Sequence, residues 1–239
     1  MFDTFFKTLS KDYPFLKEER LILLRKVCEY YFLQVEKFNF TGHKTPETFY
    51  YLNILDCILP ALEDKIILNK DAHIADLGTG GGFPGIPLAI LYPESHFVLI
   101  DSVNKKLQLI DDICTEFKIT NVKTAHIRVE EAGQHILFRE KFDLVTAKAL
   151  AHWNTLAEYC LPLVKKDGTM SVYISDQQRA DVESSTSVLQ ILGGTLESIH
   201  SYALPEAYGE RYIAHVKKTA STPSIYPRKI GTPKDQPLS

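Results

Sequence analysis

Ile74-Ala75-Asp76-Leu77-Gly78-Thr79-Gly80-Gly81-Gly82-Phe83-Pro84-Gly85 decides how this chain is read. An apolar run closes on an acid, five glycines follow within eight residues, and a second apolar run, Ile86 to Leu91, takes over. That order predicts a strand, a tight turn and a helix. Glycine permits positive φ there and lets a ligand lie against bare backbone. The open start of the helix leaves amides pointing at that ligand. About 20 residues on, Phe97-Val98-Leu99-Ile100 ends in Asp101, where a nucleoside ribose is usually gripped.

The offsets Gly80-x-Gly82-x-x-Gly85 satisfy the dinucleotide fingerprint, so a nicotinamide or flavin enzyme is one reading. Two features oppose it. The register that starts at the strand end is Gly78-x-Gly80-x-x-Phe83, which puts a bulky ring where a small residue packs helix on strand. Asp76 stands just before the turn, and a carboxylate there repels a diphosphate. It suits a cationic ligand with an amino group and no phosphate, and S-adenosylmethionine is such a ligand. A glycine-rich turn with no ligand is the bland alternative, and it leaves the two acids without a purpose.

From residue 71 onward strand-like and helix-like runs alternate. Strands are predicted near 73–77, 96–101, 122–126, 142–147 and 169–174, with helices at about 84–92, 104–117, 130–138 and 152–165. Such alternation marks an α/β, doubly wound, mostly parallel sheet. One further helix near 176–192 precedes Gly193-Gly194 and two strand-like runs, 195–203 and 211–217, joined by Pro205 to Gly209. They read as an antiparallel hairpin finishing the sheet, a feature of S-adenosylmethionine-dependent methyltransferases of this Rossmann-like type.

Residues 1–70 read as an N-terminal helical extension. Leu21, Leu24, Val27, Cys28, Tyr31 and Val35 share one face of a helix from about Lys17 to Phe38. Thr45-Pro46-Glu47 starts another, with Thr45 as N-cap, and this run ends before Pro60. A lid over the site and a plain cover for one edge of the sheet both fit this periodicity. The domain boundaries are therefore 1–70, 71–220 and a basic, proline-rich tail at 221–239 that is not helical. The tail is either a solvated, partly disordered end or a nucleic-acid contact. In the second case Arg228, Lys229 and Lys234 meet phosphates, while Tyr226 stacks on a base or packs the tail down.

A hydrophobic share of 45% and a charged share of 24% are those of an ordinary globular protein, and 239 residues suffice for one sizeable domain with an appendage. The net charge of −3 supplies no global basic field, so nucleic acid must be held by a local patch. Cysteines 28, 57, 114 and 160 lack metal-ligand spacing, so no metal site is expected, and scattered thiols fit a reducing cytoplasm. No apolar run approaches the roughly 18 residues of a membrane span.

The strand ends select the remaining candidates. Asp101 and Ser102 follow the second strand, and Asp101 is either the ribose acceptor or a helix cap. Arg128, Val129, Glu130 and Glu131 follow the third, lying against an adenine or favouring the next helix start. Lys148 follows the fourth, where a methyl acceptor must arrive; a surface lysine is its plain alternative. Arg211 is a further basic group near a strand end.

These residues resemble the GidB or RsmG family, bacterial methyltransferases of small-subunit (16S) ribosomal RNA that act on a guanine N7. The resemblance runs from the glycine segment with its Pro84-Gly85-Ile86-Pro87 element through Asn39-Phe40-Thr41, Ile54-Leu55-Asp56 and Leu99-Ile100-Asp101-Ser102. It continues through Arg128-Val129-Glu130-Glu131 and Gly209-Glu210-Arg211 to Tyr226-Pro227-Arg228-Lys229-Ile230-Gly231-Thr232-Pro233. It implies an S-adenosylmethionine site formed by Asp76, Gly78, Thr79, Gly80 and Phe83, with Asp101, Ser102, Val129, Glu130 and Lys148. It implies that Arg128, Lys148 and Arg211 hold the RNA and steady the base, and that Tyr226, Arg228 and Lys229 bind RNA. The implied protein is a cytoplasmic monomer acting on ribosomal RNA or a ribosomal particle. The chain departs from the family pattern on the acceptor side. Asn53 stands where a His is usual, Cys57 where a Ser is, Lys148 where an Arg is, and Ser175-Asp176 where Lys-Gly is. Lys for Arg keeps charge but loses bidentate geometry. A nicotinamide oxidoreductase and a non-catalytic RNA-binding assembly factor remain the competing readings.

Overall fold

The structure is a computed structural model that describes residues 1–38, 40–205 and 208–239. Asn39, part of the family-like Asn39-Phe40-Thr41, and Glu206 and Ala207, between the last two strands, lie outside the described residues.

The chain opens with α1 (Asp3–Asp12) and α2 (Glu18–Phe38), then α3 (Pro46–Phe49), a π-helical segment Tyr50–Leu55, and α4 (Asp56–Leu62). The Thr45 hydroxyl accepts from the Thr48 amide at 3.2 Å, the N-cap expected of it. Pro60 does not end the run; it sits inside α4, which continues to Leu62. Then come β1 (His73–Leu77), α5 (Gly85–Leu91), β2 (His96–Asp101), α6 (Asn104–Glu116), β3 (Val122–His126), α7 (Val129–Gln134) and β4 (Phe142–Lys148). α8 (Trp153–Cys160), β5 (Val164–Ile174), α9 (Arg179–Ser184), α10 (Thr186–Ile191), β6 (Gly194–Ala203), β7 (Glu210–Lys218) and α11 (Thr232–Asp235) follow.

Seven strands form one sheet in the order β3-β2-β1-β4-β5-β7-β6. β1 to β5 are parallel, and β7 slots between β5 and β6, antiparallel to both. Alternate residues supply two cores. Ile74, Leu99, Leu144, Tyr173 and Ile213 face α1, α2, α4, α5 and α6. Ala75, Ile100, Val145, Val172 and Ala214 face α8, α9 and α10. The N-terminal helices therefore share a continuous core with one face of the sheet, rather than covering an edge.

Local chemistry explains where the elements differ from expectation. The helix predicted over 152–165 stops at Cys160, because Pro162 has no N–H to carry the hydrogen-bond ladder past Leu161, and β5 starts at Val164. The single helix predicted over 176–192 breaks at Ser185. Its hydroxyl donates to the Val182 carbonyl at 2.7 Å and accepts from the Trp153 indole N–H at 2.6 Å. The tail is ordered and carries one short helical turn, α11, entered through Gly231 at φ 84°. The Arg139 guanidinium donates to the carbonyls of Gly133, Tyr226 and Thr222 at 2.7 Å and of Pro223 at 3.2 Å, stitching the tail to the end of α7. Pro227 sits so close to α7 that a Cβ at Gly133 would lie 2.5 Å from its ring.

Arg139→Met is expected to cost about 2 kcal/mol, the scale of hydrogen bonds from a charged donor. The measurement is urea unfolding, with the midpoint falling at unchanged slope; an unmoved midpoint would mean that the tail is docked without Arg139.

Candidate active site

The carboxyl ends of β1 to β4 open on a crevice of about 1050 Å³. Gly78, Asp101, Ser102, Val103, Arg128, Val129 and Glu130 line one part of it. Leu150, His152, Thr155, Ser175, Gln178 and the tail residues Ile230, Gly231 and Lys234 line the rest. This volume reaches the upper end of ordinary ligand pockets, enough for a nucleoside and a second group beside it.

Two carboxylates shape the glycine turn. The Asp76 side chain is wholly buried, and its Oδ2 accepts from the Thr79 hydroxyl at 2.6 Å and the Gly85 amide at 2.9 Å. A Cβ on Gly85 would lie 2.8 Å from that same oxygen, so the helix start approaches the acid as only glycine allows. Asp101 Oδ2 accepts from the Gly80 amide at 2.9 Å and Oδ1 from the Val103 amide at 2.8 Å. The Thr79 amide donates to the Ile100 carbonyl, so the turn is tied to the end of β2 at consecutive residues. Gly78, Gly80 and Gly82 all have positive φ.

The sequence-derived residues divide into three groups. Gly78, Asp101, Ser102, Arg128, Val129 and Glu130 come together around the crevice. Asp76, Thr79 and Gly80 lie beneath it as the braced turn. Phe83 turns away: its ring packs among Tyr31, Phe40 and Phe49 at centroid distances of 4.9, 6.1 and 6.2 Å. Phe83 thus joins the turn to the N-terminal helices instead of lining the crevice. Phe40 lies over the turn itself, and a Cβ on Gly81 would meet its ring at 2.6 Å.

Lys148 does not stand at an open mouth. Its ammonium is mostly buried, donating to the Leu52 carbonyl at 2.8 Å and pairing with Asp56 Oδ2 at 3.0 Å. Asp56 Oδ1 accepts from the Tyr202 hydroxyl at 2.8 Å. Burial works against the charged lysine, but Cys57 and Asp56 outweigh it and the pKa moves up. The pair clamps the π-helical segment onto the end of β4. Next to it, Asn53 Oδ1 lies 2.6 Å from His43 Nδ1 and accepts from the Thr41 hydroxyl at 3.2 Å. Lys148, Cys57 and Asn53, three of the departures from the family pattern, thus gather around one helical turn. Beyond its place in the family-like Ile54-Leu55-Asp56, Asp56 is a lone acid in the apolar run Ile54 to Leu59; such an acid on a buried helix face demands a partner.

The remaining basic residues differ in freedom. Arg128 is exposed, lines the crevice and has no side-chain hydrogen bond or ion pair among the described residues. Among the described residues, the Arg211 side chain makes a single hydrogen bond, to the Glu210 carbonyl, and it lies near enough to Lys148 to oppose its charge. Arg228, expected at a phosphate, is instead paired with the buried Glu158. Tyr226 packs on the second core instead of standing free, and Lys229 is exposed. Glu130 is occupied as well, accepting from the Gly231 amide and the Tyr159 hydroxyl.

S-adenosylmethionine fits these residues. Asp76 Oδ1 is buried with no hydrogen-bond partner among the described residues, a fixed acceptor beneath a turn that approaches a ligand with bare backbone. Burial raises the Asp76 pKa to about 7 despite the Thr79 and Gly85 hydrogen bonds, so a ligand cation nearby relieves a real electrostatic cost.

Residues 25–208 match the family model described as rRNA small subunit methyltransferase G. The chain belongs to this family. A ribosomal RNA small subunit methyltransferase G of Oceanobacillus iheyensis is 35% identical over 93% of this chain and 96% of its own length. One from Macrococcus caseolyticus is 40% identical over 85% and 84%. Among solved structures, M. jannaschii TYW2, crystallised in complex with AdoMet, superposes at a TM-score of 0.50 over 68% of this chain and 74% of that one, at 15% identity. That likeness shows the fold alone, a mostly parallel α/β sheet. The family is one of ribosomal RNA methyltransferases, which does not favour the oxidoreductase reading. Among the described residues, no helix is long and apolar enough to cross a membrane, and no group of three His, Cys, Asp or Glu side chains is placed to hold a metal.

Lys148→Met is expected to destabilise the fold by about 3–5 kcal/mol, since it leaves the Asp56 carboxylate buried and uncompensated. Adding Asp56→Leu in the same chain should recover most of that loss in denaturant unfolding. Equal instability of the single and double variants would show that the two groups are not coupled.

Proposed function

We propose that this chain transfers a methyl group from S-adenosylmethionine to a guanine N7 in 16S ribosomal RNA. The observation that carries this reading is the glycine turn held between buried Asp76 and the Asp101 carboxylate, in a member of a ribosomal RNA methyltransferase family. Asp101 and Ser102 would hold the ribose, the backbone of Val129 and Glu130 would read the adenine, and Asp76 would face the amino group beneath Gly78 and Gly80. When bound, the donor supplies an electrophilic methyl group on a sulfonium.

Guanine N7 carries an in-plane lone pair that is nucleophilic at neutral pH, and no proton has to leave it. The protein's task is alignment and exclusion of water. Arg128 and Arg211 hold the RNA and steady the base; Lys229 adds a cation on the exposed tail. Lys148 acts from within, fixing the helical wall on the acceptor side through Leu52 and Asp56. A base presented edge-on favours single-stranded or loop RNA over duplex. The cytoplasm, where ribosomal RNA is found, is the matching compartment.

The deciding experiment maps N7-methylated guanines in small-subunit RNA from cells with and without this protein, alongside transfer of labelled methyl groups to purified particles by the isolated protein. Loss of one such guanine and its restoration in vitro are expected. Binding to the particles with no methyl transfer would favour the assembly-factor reading.

Asp101→Ala is expected to weaken S-adenosylhomocysteine binding by about 1–3 kcal/mol, through loss of charged-acceptor hydrogen bonds. Calorimetry reads this directly, and an unchanged affinity would remove Asp101 from the site.

Asp76 also sets a pH dependence. With its pKa at about 7 in the free protein, a cation bound beside it favours the ionised form and drives a proton off. Affinity for S-adenosylhomocysteine should therefore rise from pH 5.5 to pH 7 and level off above, about an order of magnitude at most across that window. Asp76→Asn should flatten the profile; a slope that survives the substitution belongs to another group.

A further inference from the structure

Two buried carboxylates take partners from the tail. The Glu158 side chain, on α8, has no solvent exposure, and Arg228 saturates it. The Arg228 Nε lies 3.0 and 3.1 Å from its two oxygens, Nη2 lies 2.6 Å from Oε2, and the Arg228 amide donates to Oε1 at 2.8 Å. Three residues later the Gly231 amide donates to Glu130 Oε1 at 3.1 Å. The Thr155 hydroxyl then donates to the Pro233 carbonyl at 2.8 Å, and the Asn154 amide group to the Leu238 carbonyl at 2.7 Å. A bidentate guanidinium on a buried acid is a fixed joint, unlike a surface pair.

These joints determine what the tail presents. Ile230, Gly231, Lys234 and Pro237 line the same crevice as Asp101, Ser102 and Val129. Ile230 is the telling residue. It sits between the pinned Arg228 and Gly231, yet the residue is 54% exposed, and it borders a crevice whose other walls carry the ribose-type acid and the segment after β3. A large apolar side chain held rigidly at a nucleoside-sized crevice offers a surface for a flat, apolar ring face. Asp101 and Ser102 beside it fit the sugar attached to such a ring.

We infer that the tail from Arg228 to Pro237 is a wall of the methyl-donor site, in which Ile230 takes the adenine face. Arg228 and Glu158 are the positioning residues that hold the wall in place. The inference rests on the donor reading above and gives the tail a different task from the phosphate-binding arm its composition points to. The charge of Arg228 is consumed inside the protein, and the segment after it closes the adenosine end of the crevice.

The test is calorimetric titration of the full chain with S-adenosylhomocysteine, alongside binding of a small-subunit ribosomal RNA transcript. Ile230→Ala touches none of the joints; it is expected to weaken S-adenosylhomocysteine by ~10-fold through lost apolar contact, with the urea midpoint and RNA binding unchanged. Arg228→Met should weaken it at least as much, and Arg228→Lys should restore part of the loss. If Ile230→Ala binds S-adenosylhomocysteine like the wild type, the inference fails while the donor reading stands. It also fails if the variants lose RNA binding and keep S-adenosylhomocysteine affinity, since the tail would then serve the acceptor. An intact chain that binds no S-adenosylhomocysteine would overturn the donor reading itself, and this inference with it.

Discussion

One carboxylate oxygen governs the architecture. Asp76 Oδ2 accepts from both the Thr79 hydroxyl and the Gly85 amide, the two ends of the glycine turn, from a position with no solvent exposure. That double acceptance fixes the turn's curvature and aims the first turn of α5. Asp101 then grips the middle of the turn through the Gly80 amide, joining the ends of β1 and β2 in one rigid ledge. Keeping Asp76 ionised in such a place is costly, as its raised pKa records. The fold tolerates that cost at the spot where a cationic ligand would offset it, which is how strained electrostatics usually mark a site.

Around this ledge a second device occurs twice: a buried acid paired with a basic residue from a distant stretch of chain. Asp56 with Lys148 locks the N-terminal helices to the end of β4, and Glu158 with Arg228 locks the tail to α8. The second pair fixes the tail that lines the crevice. Such pairs are weak sources of net stability but strong determinants of placement, because breaking either leaves an uncompensated charge indoors. The crevice is lined by Gly78 and Asp101 of this ledge and by Ile230, Gly231 and Lys234 of the tail.

Much of this was legible in the sequence. The bounds of β1 and β2 follow from short apolar runs that end in turn residues, and the closing hairpin follows from two strand-like runs flanking a proline-containing connection. Composition and spacing could not reveal which charges are spent internally. Lys148 and Arg228 look like free cations on a strand end and in a basic tail, because their partners lie 92 and 70 positions away in the chain. Phe83 was legible as too large for a dinucleotide turn, but its destination among Tyr31, Phe40 and Phe49 depends on where the N-terminal helices dock. The break at Ser185 needed the Trp153 indole, a partner that no local pattern supplies.

The most direct measurement is a crystal structure of the full chain with S-adenosylhomocysteine. The ligand is expected along the glycine ledge, with its ribose hydroxyls on Asp101 and its amino group on the Asp76 side of Gly78 and Gly80. A ligand lodged elsewhere, or an Asp101 carboxylate turned away from the sugar, would contradict the central claim that the two acids and the glycine turn form the donor site.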